Sequence, residues 1–242
     1  MRVWAKGETS MISAFVKAIE QLGDPRLRRV IILTLIASLL ILVALVIGIS
    51  VLLSFLNLVG IAWVDTALSW LGGLASVVLA FLLFPAVVVI VMSLFLDTVA
   101  EAVEARHYPE LPKAPGQGTM AGVWTGIKFA ALLIGVNILL LIVYLIMLAT
   151  VVLSPLIPVV FYLVNGWLAG REYFETVAFR RLKEPEAREL RRPFTIQLTL
   201  AGAAIAFLAV IPIVNLLAPV LATAVMVHLF QDFSRKRASA GR

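Results

Sequence analysis

The chain has 242 residues, 62% of them hydrophobic and 14% charged, with 20 Lys and Arg against 14 Asp and Glu. Several uncharged runs exceed the length that crosses a bilayer, so this is a polytopic α-helical membrane protein with no room for a separate soluble catalytic domain. The net charge of +6 falls beside the ends of apolar segments, which points to topology and anionic phospholipid and not to nucleic acid, and a chain without cysteine has neither disulfides nor thiolate metal sites.

Residues 1–9 read as a loose tail, with no cleavable signal peptide. Over residues 10–22, Ile12, Phe15, Val16, Ile19 and Leu22 recur at helical spacing while Ser13, Lys17, Glu20 and Gln21 take the other face. That pattern predicts a short amphipathic helix lying on the membrane surface. Gly23 can close it, and Asp24-Pro25 supplies an N-cap and first-turn proline for the next helix. Residues 25–53 form the first transmembrane helix, with Arg26, Arg28 and Arg29 in its first turn. Residues 54–73 carry Asn57, Trp63, Asp65 and Trp70 and no basic residue, the composition of an outer-side loop or interfacial segment. A second transmembrane helix follows at 74–105, kinked at Pro85, with a cytoplasmic extension bearing Asp97, Glu101 and Glu104 on one face. Prolines 109, 112 and 115 with Gly116 and Gly118 make an inner loop.

Residues 129–170 are uncharged but broken by Ser154-Pro155-Leu156-Ile157-Pro158, which predicts a helical hairpin. Residues 171–192 hold seven basic and five acidic side chains and read as a cytoplasmic connection. Residues 194–230 carry no charge and contain Pro212, Asn215 and Pro219. Two arms of about 16–18 residues reach roughly 24–27 Å, short of a hydrocarbon core of about 30 Å, so a re-entrant hairpin is expected. Residues 231–242 are a basic tail. The fold class is all-α: one membrane domain over 1–242, with two full transmembrane helices, two Pro-broken, partly re-entrant hairpins and an interfacial amphipathic helix. The placement of Lys and Arg puts both termini in the cytoplasm.

Arg28 and Arg29, with Arg26, are the leading substrate site. A helix first turn presents unpaired N–H groups, and the guanidinium fork suits a tetrahedral oxyanion. The same arginines also suit phospholipid headgroups. Asn215, Pro212, Pro219, Ser154, Pro155 and Pro158 mark the hairpin breaks, where irregular backbone at membrane depth lines a solute path or is capped by its own side chains. Asp97, Glu101 and Glu104 are expected to pair with arginines of 171–192, Asn137 to join helices, His228 to be buried and His107 to sit in a loop. No phosphate loop, zinc-protease motif or nucleophile elbow is present, and two histidines 121 residues apart do not suggest a metal. No enzyme, metal or cofactor is expected.

Three pieces of the chain carry a resemblance: Pro25-Arg26-Leu27-Arg28-Arg29-Val30; Gly166-Trp167-Leu168-Ala169-Gly170 with Tyr173; and Ile211-Pro212-Ile213-Val214-Asn215-Leu216-Leu217-Ala218-Pro219 followed by Ala222-Thr223-Ala224. In order and spacing the chain resembles the bacterial sulfate permease family CysZ, related to the eukaryotic etoposide-induced membrane proteins. The resemblance implies two full spans, two partly penetrating hairpins, a homo-oligomer in the bacterial inner membrane, and sulfate uptake that feeds cysteine synthesis. One element departs from the family: its Gly-Leu-Asn ahead of the arginines stands here as Ala18-Ile19-Glu20, and a carboxylate repels an anion. A permease or channel for sulfate or a similar oxyanion is expected. The alternative is a membrane scaffold that transports nothing.

Overall fold

A computed structural model describes residues 10–55, 62–116, 119–150 and 152–240; the expected tail at 1–9, Asn57 and Gly118 lie outside them. Every regular element among the described residues is helical. In order these are α1 (Met11–Gln21), α2 (Pro25–Ser54), α3 (Ala62–Ser93), α4 (Leu96–His107) and α5 (Thr119–Ala149). They are followed by α6 (Ile157–Ala178), α7 (Glu184–Arg191), α8 (Thr195–Leu208) and α9 (Pro212–Ala240). Three stretches are long and apolar enough to cross a membrane: Pro25–Leu52, Val64–Phe84 and Val214–Ala240. The protein is therefore a multi-pass membrane protein.

Ser10 caps α1, its hydroxyl oxygen accepting the Ser13 N–H at 3.1 Å. The helix forms as expected. Ala14, Ala18 and Gln21 are fully buried, whereas Ile12, Val16 and Ile19 stay exposed. The reason is close approach: two alanines let the backbone of α1 lie against α9, and a bulky Ile or Val there would hold the helices apart. Gln21 Nε2 donates to the Ala102 carbonyl at 3.2 Å and ties α1 to α4.

Asp24 starts α2, with its carboxylate accepting the Arg26 N–H at 2.8 Å. Along α2 only one stripe is buried, Leu27, Val30, Thr34, Ser38 and Leu42, at spacings of three and four. Small and hydroxyl-bearing residues on that stripe suit packing between helices in lipid, and Thr34 Oγ1 donates to Met92 Sδ of α3. Most of the remaining described apolar side chains of α2, Ile32, Leu33, Ile36, Leu39 and Leu40 among them, are exposed, as a lipid solvent requires.

Two boundaries differ from expectation. The segment 54–73, expected as an outer-side loop or interfacial segment, is helical from Ala62, and α3 runs through Gly72, Gly73 and Pro85 without interruption. In an apolar medium a helix is the cheapest way to satisfy those backbone groups, so glycine breaks it less readily than in water. The expected continuous helix over 74–105 instead stops at Leu94–Phe95. Their N–H groups bond three residues back, to Val91 and Met92 at 3.2 and 2.9 Å. The acidic α4 then begins afresh and packs under α9.

The first expected hairpin has its break at 150–156, with a short 3-10 turn at Ser154–Leu156 and prolines 155 and 158 in the first turns that follow. The helix beyond it does not end at residue 170 but continues into the charged stretch as far as Ala178. Gly166 and Gly170 explain why it packs so firmly there. They cross Gly202 of α8 so closely that a Cβ on Gly166 would lie 2.7 Å from the Ala203 backbone nitrogen.

The second hairpin is lopsided. Its break lies at residues 209–211, before Pro212, and both prolines are accommodated in α9. Pro212 is the first helical residue, where the missing N–H costs nothing. Pro219 lies inside the helix and removes only the donor that would have reached the Asn215 carbonyl. The two arms therefore measure 14 and 29 residues rather than two near-equal lengths. The long arm is the core of the molecule. From Ala218 to Phe233 every residue of α9 is buried, covered by α1, α3, α4, α6 and α8.

Candidate functional site

Arg26, Arg28 and Arg29 are exposed on the first turn of α2. Leu27 and Val30 between and beside them are buried with Met92, Val99, Ala102 and Val220. This anchors the arginine turn against α9 one residue past Pro219. Asn215, half-buried, is five residues before Val220, about 7–8 Å along the helix. The fold thus brings the arginine turn and the second hairpin's proline segment into one cluster. It does not bring Ser154, Pro155 or Pro158 into that cluster.

The helix terminus itself is less open to an anion than its sequence suggests. Pro25 has no N–H, Asp24 Oδ1 takes that of Arg26, and the Asp24 carbonyl takes that of Arg28 at 2.9 Å. Asp24 Oδ2 also meets Arg106 at 3.4 Å. A cleft of about 390 Å³ opens here, lined by Asp24, Pro25, Arg26, Ala102, Ala105 and Arg106. What remains for an anion is the guanidinium groups: neither Arg28 nor Arg29 forms an ion pair with a described residue. Ala18 of the departing element is buried on α9, and Glu20 is exposed.

The acidic face of α4 meets arginines of the 171–192 stretch, as its spacing led us to expect. Arg180 bridges Asp97 and Glu104, each at 3.0 Å, and Arg181 binds the other oxygen of Glu104 at 2.9 Å. The side chains of Arg180 and Glu104 are 6% and 8% exposed, so this is a buried, mutually satisfied network that locks α4 to the end of α6. Glu101 turns outward to Lys113 at 3.0 Å. Asn137, expected between helices, is exposed.

A second polar cluster was not foreseen. His107 ends α4 and is no loop residue; its ring meets that of His228 edge-on with centroids 4.8 Å apart. The Tyr108 hydroxyl and His228 Nδ1 are 2.8 Å apart, and the Nε2 atoms of both histidines are buried without a partner. Burial, then the charges of Arg106 and Lys17, lower the pKa of His107 against a weaker upward pull from Glu20. Burial pushes Tyr108 up to about 12. The only trace in the sequence was His228 and Gln231, three apart in a run otherwise built for burial. Among the described residues no group of three or more His, Cys, Asp or Glu is placed to hold a metal.

Comparison with known proteins places residues 14–219 in one match, to the family model described as sulfate transporter CysZ/etoposide-induced protein 2.4. A search of curated proteins finds no match to the chain.

Proposed function

Because the chain belongs to the family of sulfate transporter CysZ and etoposide-induced protein 2.4, we propose that it is a permease or channel for sulfate or a similar inorganic oxyanion, supplying sulfur assimilation from the bacterial inner membrane. The observation that carries this reading is the arginine turn. Arg28 and Arg29 are exposed, form no ion pair among the described residues and are fixed in place by Leu27 and Val30, which pack onto the α9 segment that follows Pro219. Two guanidinium forks beside a helix start gather a divalent anion, and Arg26 on the rim of the adjoining cleft adds to the field. Asn215 lies next along that helix, where Pro219 withholds a donor from its carbonyl and leaves a polar point in an apolar surrounding.

The finer architecture follows from lengths. An α8 of 14 residues reaches about 21 Å, too short for a hydrocarbon core of about 30 Å, which favours a re-entrant hairpin over two full crossings. With α2 and α3 as full spans, and α9 returning with α8 in the hairpin although its length and composition would let it cross, both termini lie in the cytoplasm. One such chain cannot enclose a pore with short hairpins, so a homo-oligomer set in anionic phospholipid is the working assembly. No cofactor takes part.

Radiolabelled sulfate uptake into proteoliposomes tests the reading, with Arg28→Ala/Arg29→Ala beside the parent chain. Saturable flux that falls at least about tenfold in the double variant is expected, since each charge-assisted contact contributes about 1.5–3 kcal/mol. Absence of flux from folded, inserted parent protein sinks the proposal and leaves the scaffold reading.

A further inference from the structure

Where α6 leaves its apolar stretch, Arg171 and Arg191 close on the same oxygen of Glu175. Their Nε atoms lie 3.0 and 3.3 Å from Oε1. The second contact is an ion pair without a hydrogen bond: Arg191 Nε is buried and has no acceptor among the described residues. Both side chains are largely covered, with 26% of Arg171 and 15% of Arg191 exposed. Burial above all, then the charges of Arg171, Arg188 and Arg192, hold Arg191 below the usual guanidinium pKa against the pull of Glu175.

The neighbouring acids do not offset this. Glu184 pairs with Arg188, Glu189 with Arg237, and Glu186 accepts the Lys183 backbone N–H. Glu172, just past the apolar stretch, is pushed up to about 8 by burial and by Glu175, so it is mostly uncharged at neutral pH. Three guanidinium groups, Arg171, Arg188 and Arg192, thus act on Arg191 against one carboxylate, Glu175, and with Glu184 taking up Arg188 a positive excess remains around Arg191. A half-buried cationic excess with an unused donor is unfavourable unless an anion completes it.

We propose that the elbow between α6 and α7 binds a tetrahedral oxyanion, a sulfate or phosphate group, through Arg171, Arg191 and Arg192, at a site separate from Arg28 and Arg29. An anion offsets the excess, and guanidinium forks match the oxygens of a tetrahedral one. The group is carried either by the free ion or by an anionic lipid headgroup. This site stands on its own side chains and does not depend on sulfate conduction, so it is tested by equilibrium binding and not by flux.

The full chain, purified in lipid-free detergent with Arg28→Ala/Arg29→Ala as background, is titrated with sodium sulfate or sodium phosphate at ionic strength held constant with chloride. The thermal unfolding midpoint is read. A saturable rise is expected, with apparent affinity weakened roughly tenfold by Arg191→Gln or by the exposed Arg192→Gln, which is less prone to misfold. Glu175→Gln removes the competing carboxylate and tightens binding, even though that variant is less stable without anion. A purely structural ion pair would not produce that reversal. A parallel arm adds phosphatidic acid or phosphatidylcholine in mixed micelles. Stabilisation by phosphatidic acid alone, lost in Arg192→Gln, with no response to the free ions, assigns the site to a headgroup. Identical responses in the background protein, Arg192→Gln and Glu175→Gln to every ligand overturn the proposal.

Discussion

Replacing Gly202 by alanine places a methyl group where α8 meets α6 backbone to backbone. The new Cβ would contact the Gly166 carbonyl and come 2.5 Å from the Gly170 nitrogen. No side chain can rotate out of the way, so the two helices must separate. Overpacking of this kind costs about 1–3 kcal/mol, and more when only backbone can yield. Alanine returns about 1 kcal/mol in helix propensity over glycine. A net loss of about 2 kcal/mol is expected, which lowers the melting point by roughly 4–8 °C for a chain of this size. Gly48→Ala in α2 is the matched control, because nothing lies within 4 Å of its added Cβ. Propensity acts alone there, and the midpoint should hold or rise by roughly 2–4 °C. Both are measured by thermal unfolding of the purified protein in detergent. A Gly202→Ala variant that melts at or above the parent, beside a normally behaved Gly48→Ala, would refute the close crossing of α6 and α8.

Other predictions follow from the charged cytoplasmic elements. Arg180→Gln leaves Glu104 buried with Arg181 alone and removes the ion-pair partner of the already exposed Asp97, so a loss of about 3–5 kcal/mol is expected by denaturant or thermal unfolding; a change under 1 kcal/mol would mean the network adds nothing. Glu172 titrates near 8 in the folded chain against 4.5 when free. The native state therefore holds its proton longer than the unfolded state, and this group lowers stability as pH rises from about 4.5 to about 8. Glu172→Gln should match the parent below pH 4.5, gain on it through that window and keep a constant lead above it. A pH-independent offset would contradict the assignment. Arg28→Ala/Arg29→Ala, at exposed positions with no ion pair among the described residues, should unfold within about 0.5 kcal/mol of the parent, so that any fall in sulfate uptake reports on the anion.

Local signals read reliably. Asp24-Pro25 starts α2 because capping and a tolerated first-turn proline need only adjacent residues. Ser154-Pro155-Leu156-Ile157-Pro158 breaks the chain because two prolines in four residues deny the helix its donors. The acidic face of α4 announced its arginine partners because like charges stacked at spacings of three and four require opposite charge nearby. Much of the site was legible in the same way, since an arginine turn ahead of an apolar run is visible without coordinates.

What only the tertiary structure decided is which neighbour each face meets. Sequence determined that residues 11–21 form an amphipathic helix, but the packing of Ala14 and Ala18 on α9 decided that the small face goes inward and Ile12, Val16 and Ile19 outward. Pro219 marked a break in the sequence pattern, yet burial of α9 from Ala218 to Phe233 holds the helix together through it. His107 and His228 meet, and Arg191 joins the i,i+4 pair of Arg171 and Glu175, only because α4, α6, α7 and α9 share one core. Sequence spacing encodes which residues share a face along one helix. Contact between helices depends on the shape of both surfaces at once, and no single segment carries that information.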